Sequence, residues 1–153
     1  MSLYCLIKPR YDDENSIIIE SLMSEIETPY ERIGGEAAVR KLCKTFYQVM
    51  CETPQTQLIR AMHPGEIGLS EEKLYLFLTG WLGGPPIYTD KYGHPRLRKR
   101  HMPFPIGIEE RDQWLYCMAQ ALKTMGLDEL FSQQLMGSFV QTADFMRNKP
   151  NEE

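Results

Sequence analysis

His101 ends the stretch in this chain that is richest in chemistry, Gly93-His94-Pro95-Arg96-Leu97-Arg98-Lys99-Arg100-His101-Met102-Pro103-Phe104. Five of the eleven residues from Lys91 to His101 are Lys or Arg. A neutral imidazole is a good metal ligand, and neighbouring cations can pair with the anionic groups of a bound molecule. Pro95 suits the first turn of a helix, where its missing N–H is no loss. Pro103 disfavours helical geometry at Met102. The two prolines predict a short helix of about two turns that closes on His101. Taken alone, the stretch also fits a structural histidine beside a solvated basic face, or a patch for an acidic partner.

Further polar-capable groups sit on apolar faces elsewhere, at Tyr47, His63 and Trp114. Buried Tyr and Trp need partners for their O–H and N–H, and a ligand that accepts hydrogen bonds would supply them. The elements that must carry these residues can be read from periodicity. From Glu36 to about Cys51, the residues Val39, Leu42, Cys43, Phe46, Val49 and Met50 recur at spacings that describe one helical face. A short helical turn from Thr56 to Met62 leads to the loop His63-Pro64-Gly65. Ser70 reads as an N-cap, with Glu71 and Glu72 in the first turn. Leu74, Phe77, Leu78 and Trp81 follow as an amphipathic stripe, until Gly83-Gly84-Pro85-Pro86 stops the helix. Ile87 to His94 reads as a loop. A third long helix opens at Gly107 and carries Trp114, Met118, Ala121 and Met125 on one face, ending near Gly126. A fourth starts at Asp128 and carries Leu130, Phe131, Leu135, Phe139 and Phe145. No segment alternates at period two, so the fold class is all-α.

A chain of 153 residues fits one domain with a sizeable core. With 42% apolar and 10% aromatic residues, disorder is excluded as a global description. A net charge of −4 argues against a nucleic-acid binder. Cys5, Cys43, Cys51 and Cys117 are scattered, without a paired zinc spacing or a disulfide framework. Reduced thiols and a cytoplasmic location follow as the expectation. No apolar run approaches the roughly 18–20 residues of a membrane span, and the first residues lack the pattern of a signal peptide. Residues 1–28, with the apolar run Ile17-Ile18-Ile19, read as an N-terminal extension that either docks as a short helix or stays partly ordered. Residues 29–153 read as the folded domain.

Six segments together resemble the group II truncated haemoglobins: YERIGG at 30–35, TFY at 45–47, WLGGPPIY at 81–88, GHPRLRKRH at 93–101, PFPIG at 103–107 and ERDQWLYCM at 110–118. The resemblance covers roughly residues 29–147. It implies a two-over-two helical sandwich around haem b (iron protoporphyrin IX), with main helices at 36–51, 70–82, 107–125 and 128–147. His101 matches the proximal ligand to iron. Tyr47 and Trp114 match distal residues that hydrogen-bond a bound ligand, and His63 falls near a third distal position. Ser70 falls near the place of the distal histidine of ordinary globins, where its small side chain leaves room for ligand entry. Arg98, Arg100 and Tyr88 are then candidates for the propionates. Phe46, Leu74, Phe77, Leu78, Trp81, Leu97, Met102, Phe104, Ile106 and Met118 would wall the porphyrin together with Trp114.

The function so implied is binding of O₂, NO and CO at a histidine-ligated iron, with NO detoxification or peroxidase-like chemistry as a redox extension. An electron-donating reductase would be the partner for such chemistry, with the chain a monomer or homodimer and neither nucleic acid nor membrane involved. The competing reading is a haem-free helical interaction module that binds an acidic partner through residues 91–101. A hydrolase is disfavoured, because no nucleophile–base motif is present.

Overall fold

The computed structural model describes residues 13–24 and 26–150. The elements are α1 (Asp13–Ser24), α2 (Pro29–Ile33), α3 (Gly35–Glu52), a 3₁₀ turn (Pro54–Thr56), α4 (Gln57–Ala61), α5 (Gly68–Trp81), α6 (Ile87–Tyr92), α7 (Leu97–His101), α8 (Ile108–Lys123) and α9 (Glu129–Phe145). No strand occurs among the described residues. The main contacts pair α3 with α5, α3 with α8 and α8 with α9. This is a two-over-two helical sandwich, in which α3 and α5 face α8 and α9.

Each long helix arises where its apolar stripe predicts it. Val39, Leu42, Cys43, Phe46 and Met50 are completely buried on α3, as are Cys117, Met118 and Ala121 on α8. Phe131, Leu135 and Phe139 bury the inner face of α9, which starts on the Asp128 side chain accepting from Phe131 N–H at 3.0 Å. α8 starts differently. Gly107 has no capping side chain, but the Glu110 carboxylate turns back to accept from Gly107 N–H at 2.9 Å and from Lys149 Nζ at 2.6 Å. Burial works against the charge on Glu110, but the lysine and the backbone amides outweigh it and hold the carboxyl below its ordinary range.

Three local expectations change. Ser70 is not a cap. α5 begins at Gly68, because the Ile67 carbonyl already accepts from Glu71 N–H at 2.9 Å, and Ser70 lies within the first turn. Residues 87–92 are a helix rather than a loop: the prolines that end α5 also open α6, where the Pro86 carbonyl accepts from Asp90 N–H at 3.0 Å. α7 is a five-residue turn starting at Leu97, with Pro95 outside it. Arg96 occupies the left-handed region at φ 45°, supported by His94 Nδ1, which accepts from Arg96 N–H at 3.1 Å. Ile17, Ile18, Ile19 and Leu22 of α1 are exposed.

Two of the sequence segments turn out to be one contact. Thr28 and Glu31 form a reciprocal capping box that starts α2, and Tyr30 N–H then donates to Leu82 O at 2.9 Å. This brings the Tyr30 ring against Gly84, where a Cβ would lie 2.7 Å from ring carbons and 2.8 Å from Thr79 O. Only glycine fits at that approach. Gly84→Ala should lower stability by about 1–3 kcal/mol, the usual range for overpacking, measured as a shift of the urea midpoint. Gly65→Ala meets nothing within 4 Å and serves as the control with little change.

Candidate functional site

Between the two helix layers lies a cavity of about 560 Å³ that opens to the surface, within the size range of pockets that take a cofactor. Its walls come from nearly every element of the body. α5 gives Leu74, Phe77, Leu78 and Trp81; α6 gives Tyr88; α7 gives Leu97, Arg100 and His101; Phe104 and Ile106 follow from the next loop. Tyr47 enters from α3, His63 from the loop after α4, and Trp114 from α8.

α7 delivers His101. Its Nδ1 lies 2.6 Å from Leu97 O. A carbonyl oxygen only accepts, so Nδ1 carries the hydrogen and Nε2 keeps a lone pair. Asn148, just beyond α9, fixes this turn from outside: its Nδ2 donates to His101 O at 3.2 Å and to Phe104 O at 2.8 Å, while its Oδ1 accepts from Ile106 N–H at 2.9 Å. His94 points to its own turn and does not line the cavity.

Tyr47 is almost wholly buried, yet its hydroxyl has no hydrogen-bond partner among the described residues. The same holds for the Trp114 indole N–H. Both side chains border the cavity, and both rest on Phe46, with ring centroids 5.0 and 5.1 Å away. Burial, then the nearby Cys43 thiol and Glu71 carboxylate, raise the Tyr47 pKa, so the phenol stays protonated as a donor. His63 stands edge-on to Tyr47 with centroids 5.6 Å apart. Its Nδ1 lies 2.8 Å from Ile59 O. Burial first, then Arg60 and His101, lower its pKa, so it rests neutral at pH 7.

Four residues expected at the cavity wall lie elsewhere. Phe46 and Met118 are fully buried behind the wall, in the core proper. Met102 is 55% exposed, because α7 ends before it and turns its side chain to solvent. Arg98 is directed away from the cavity, donating to Phe145 O at 2.6 Å and Arg147 O at 2.8 Å. It thereby closes the C-terminal end of α9, where a cation is favoured. Arg100 remains at the cavity, with its Nε on Pro95 O at 2.9 Å and its guanidinium 5.8 Å from the Tyr88 ring. Sequence reading missed Lys73 at the rim, Ile59 and Met62 near His63, and the α9 face of Phe139, Thr142, Ala143 and Met146. For Phe139 a signal existed in the α9 stripe, but periodicity does not distinguish core from cavity wall. Trp81 stacks directly on Phe139, with ring centroids 4.6 Å apart.

Among the described residues no three or more His, Cys, Asp or Glu converge as a metal-binding group. Cys43 and Cys117 are buried free thiols and Cys51 is exposed, while Cys5 lies outside the described residues. Burial pushes the Cys43 thiol up to about 12 and the Cys117 thiol up to about 11, so neither is a thiolate ligand. A metal at His101 must therefore arrive with most of its own ligands. No helix among the described residues is long and apolar enough to cross a membrane.

The known proteins most informative for this arrangement share it along most of the chain. Residues 28–148 match the bacterial-like globin family. The group 2 truncated hemoglobin YjbI of Bacillus subtilis is 41% identical over 125 residues, covering 82% of this chain and 92% of that protein. The group II 2-on-2 hemoglobin from the plant pathogen Agrobacterium tumefaciens superposes with a TM-score of 0.79 at 42% identity, covering 82% of this chain and 98% of the other. A truncated oxygen-avid haemoglobin from Bacillus subtilis gives 0.73 at 41% identity, covering 80% of this chain and all of the other, 100%. With a two-over-two sandwich closed around one histidine-bearing cavity, and with this similarity running from α2 to the end of α9, the chain belongs to the group II truncated haemoglobins of the bacterial-like globin family.

Proposed function

We propose that this protein binds haem b in the cavity, with His101 as the proximal ligand, and binds O₂, NO and CO on the opposite side. One observation carries the reading. The His101 ring keeps its Nε2 lone pair free at an apolar cavity while a backbone carbonyl fixes Nδ1, as a metal-ligating histidine requires. The chain's residues also fit the group chemically. A lone imidazole cannot retain iron by itself, whereas a macrocycle brings four further donors. The apolar wall suits its faces, and Arg100, Lys73 and Tyr88 at the rim suit its carboxylates. Haem supplies an iron with one open position for a diatomic ligand.

The unpartnered O–H of Tyr47 and N–H of Trp114 are the donors for that ligand, and their strength grows in a site shielded from water. The same pocket supports NO detoxification or peroxidase-like turnover with an electron-donating reductase. In this reading residues 29–153 are the globin domain, residues 1–28 are an extension of it, and the protein works in the cytoplasm as a monomer or homodimer. The rival module binding an acidic partner through residues 91–101 loses support from Arg98, which is committed to α9.

His101→Gly tests the ligand. The variant should lose the normal ferrous haem spectrum, added imidazole should restore much of it, and His94→Ala should leave it unchanged. An unaltered spectrum for the His101 variant would defeat the assignment.

The rim makes a second test. Arg100→Gln should speed haem transfer to an acceptor protein about 1.5- to fivefold, the scale of a solvent-exposed ion pair. Arg98→Gln should instead lower the stability of the haem-free protein by about 1 kcal/mol, since the carbonyls of Phe145 and Arg147 at the end of α9 lose a charged donor.

For the distal donors, a hydrogen bond to a charge-bearing acceptor contributes roughly 1.5–3 kcal/mol. Tyr47→Phe and Trp114→Phe should each release O₂ about ten- to a hundredfold faster by stopped flow, with CO less affected. The double variant should fall short of the product of the single effects, because neighbouring donors to one ligand are not additive.

A further inference from the structure

Charge is spread unevenly over this protein. Between Tyr88 and Phe104 the sequence holds five cations, Lys91, Arg96, Arg98, Lys99 and Arg100, and one carboxylate, Asp90, in a chain whose net charge is −4. Folding gathers part of this run with a cation from α5. Lys73 Nζ lies 5.9 Å and Lys91 Nζ 5.3 Å from the Tyr92 ring. Tyr92 packs on Tyr88 with ring centroids 5.1 Å apart, and the Arg100 guanidinium lies 5.8 Å from the Tyr88 ring. Lys73, Tyr88 and Arg100 also border the cavity. Lys99 is exposed on α7. Just past α7, Met102 and Phe104 are exposed too, and Phe104 lines the cavity from the same position. Its backbone N–H donates to His101 O at 3.0 Å, so this surface is continuous with the histidine's turn. Large apolar side chains left in water beside a group of cations mark a contact surface.

We propose that Lys73, Lys91, Lys99 and Arg100, with Met102 and Phe104, form the docking surface for a small acidic protein that carries one electron. This rests on the haem reading above, in which the iron is held at His101. Three features select that partner. A positive edge on a negative chain orients an approaching acidic protein and raises its encounter rate without a large contact. Two exposed apolar side chains are too few for a permanent complex and suit the small interfaces of electron-transfer pairs. The third feature is position: the surface adjoins the cavity mouth and the His101 turn, so an electron entering there need not cross the helix layers. One electron passes per encounter. The donor loses it, the iron goes from ferric to ferrous, and no bond in this chain forms or breaks. Arg98 adds charge to this edge, while its Nη1 stays on the carbonyls of α9.

The probe is a reduced, acidic [2Fe–2S] ferredoxin, mixed by stopped flow with the haem-loaded ferric protein under CO, which traps the ferrous product. Reduced methyl viologen, a small cation, is the control donor. In the double variant Lys91→Glu, Lys99→Glu the ferredoxin rate at low salt should fall about tenfold or more, the lower end of electrostatic steering. The gap to the parent should narrow as salt screens the charges, and the methyl viologen rate should not fall. The double variant Lys41→Glu, Lys44→Glu makes the same charge change on exposed residues of α3 that do not border the cavity. It should slow ferredoxin by less than about threefold, because charges distant from the docking edge steer weakly. Binding is read separately: oxidised ferredoxin titrated into the CO-bound parent should shift the amide NMR signals of residues 91–104. Equal slowing by the two double variants would assign the effect to net charge and overturn the proposal. Parent-like rates in the Lys91, Lys99 variant, or amide shifts confined to other faces, would overturn it as well. So would binding of anionic lipid vesicles through this edge with no response to ferredoxin. Each of these outcomes leaves the haem reading intact, whereas a parent that takes up no haem would overturn both readings together.

Discussion

Five residues are too few for a helix to stand alone, and α7 has five. Everything chemical in this protein depends on how that turn is held. The hold is polar and comes from the far end of the chain. Asn148 joins the carbonyls of His101 and Phe104 to the amide of Ile106, and Arg98 reaches back to the last carbonyls of α9. One clamp sets the backbone on which the imidazole sits, while the other satisfies a helix terminus that would otherwise leave acceptors unpaired. The imidazole in turn is set by its own helix through Leu97 O. Ligand geometry thus descends from α9 through α7 to a single nitrogen.

Opposite this rigid turn the protein leaves polar hydrogens unspent. A buried tyrosine and a half-buried tryptophan border the cavity with donors that no described residue accepts. Ring contacts with Phe46 keep Tyr47 and Trp114 at the cavity. Donors placed at the cavity before a ligand arrives need no rearrangement to meet an acceptor that enters, which is how a site is organised ahead of its ligand.

Much of this was legible in the sequence where burial follows period. The stripes of α3, α5, α8 and α9 are strong, and their helices lie within a few residues of expectation. His101, Tyr47 and Trp114 could be nominated from residue type and the resemblance together. What stayed hidden was tertiary. Nothing local separates Arg98 from Arg100, though one closes a helix and the other borders the cavity. Asn148 looks like a polar residue near the end of a helix until its partners some forty positions away are known. Phe46 and Met118 share stripes with wall residues, and only the position of the cavity sets them behind it. α6 was missed because a proline pair reads as a stop, although it is equally a start. The tautomer of His63 depends on the fold around Ile59 O and has no signature in residue type.

The Asn148 clamp has a consequence for biogenesis. Chains are made from the N-terminus onward, and domains take shape as their parts emerge. α3, α5 and α8 can meet early, yet the histidine's turn lacks its brace until residue 148 has left the ribosome. The brace on the His101 turn is thus completed only with the last residues of the folded body. Cofactor capture in its final geometry waits for a residue that follows α9.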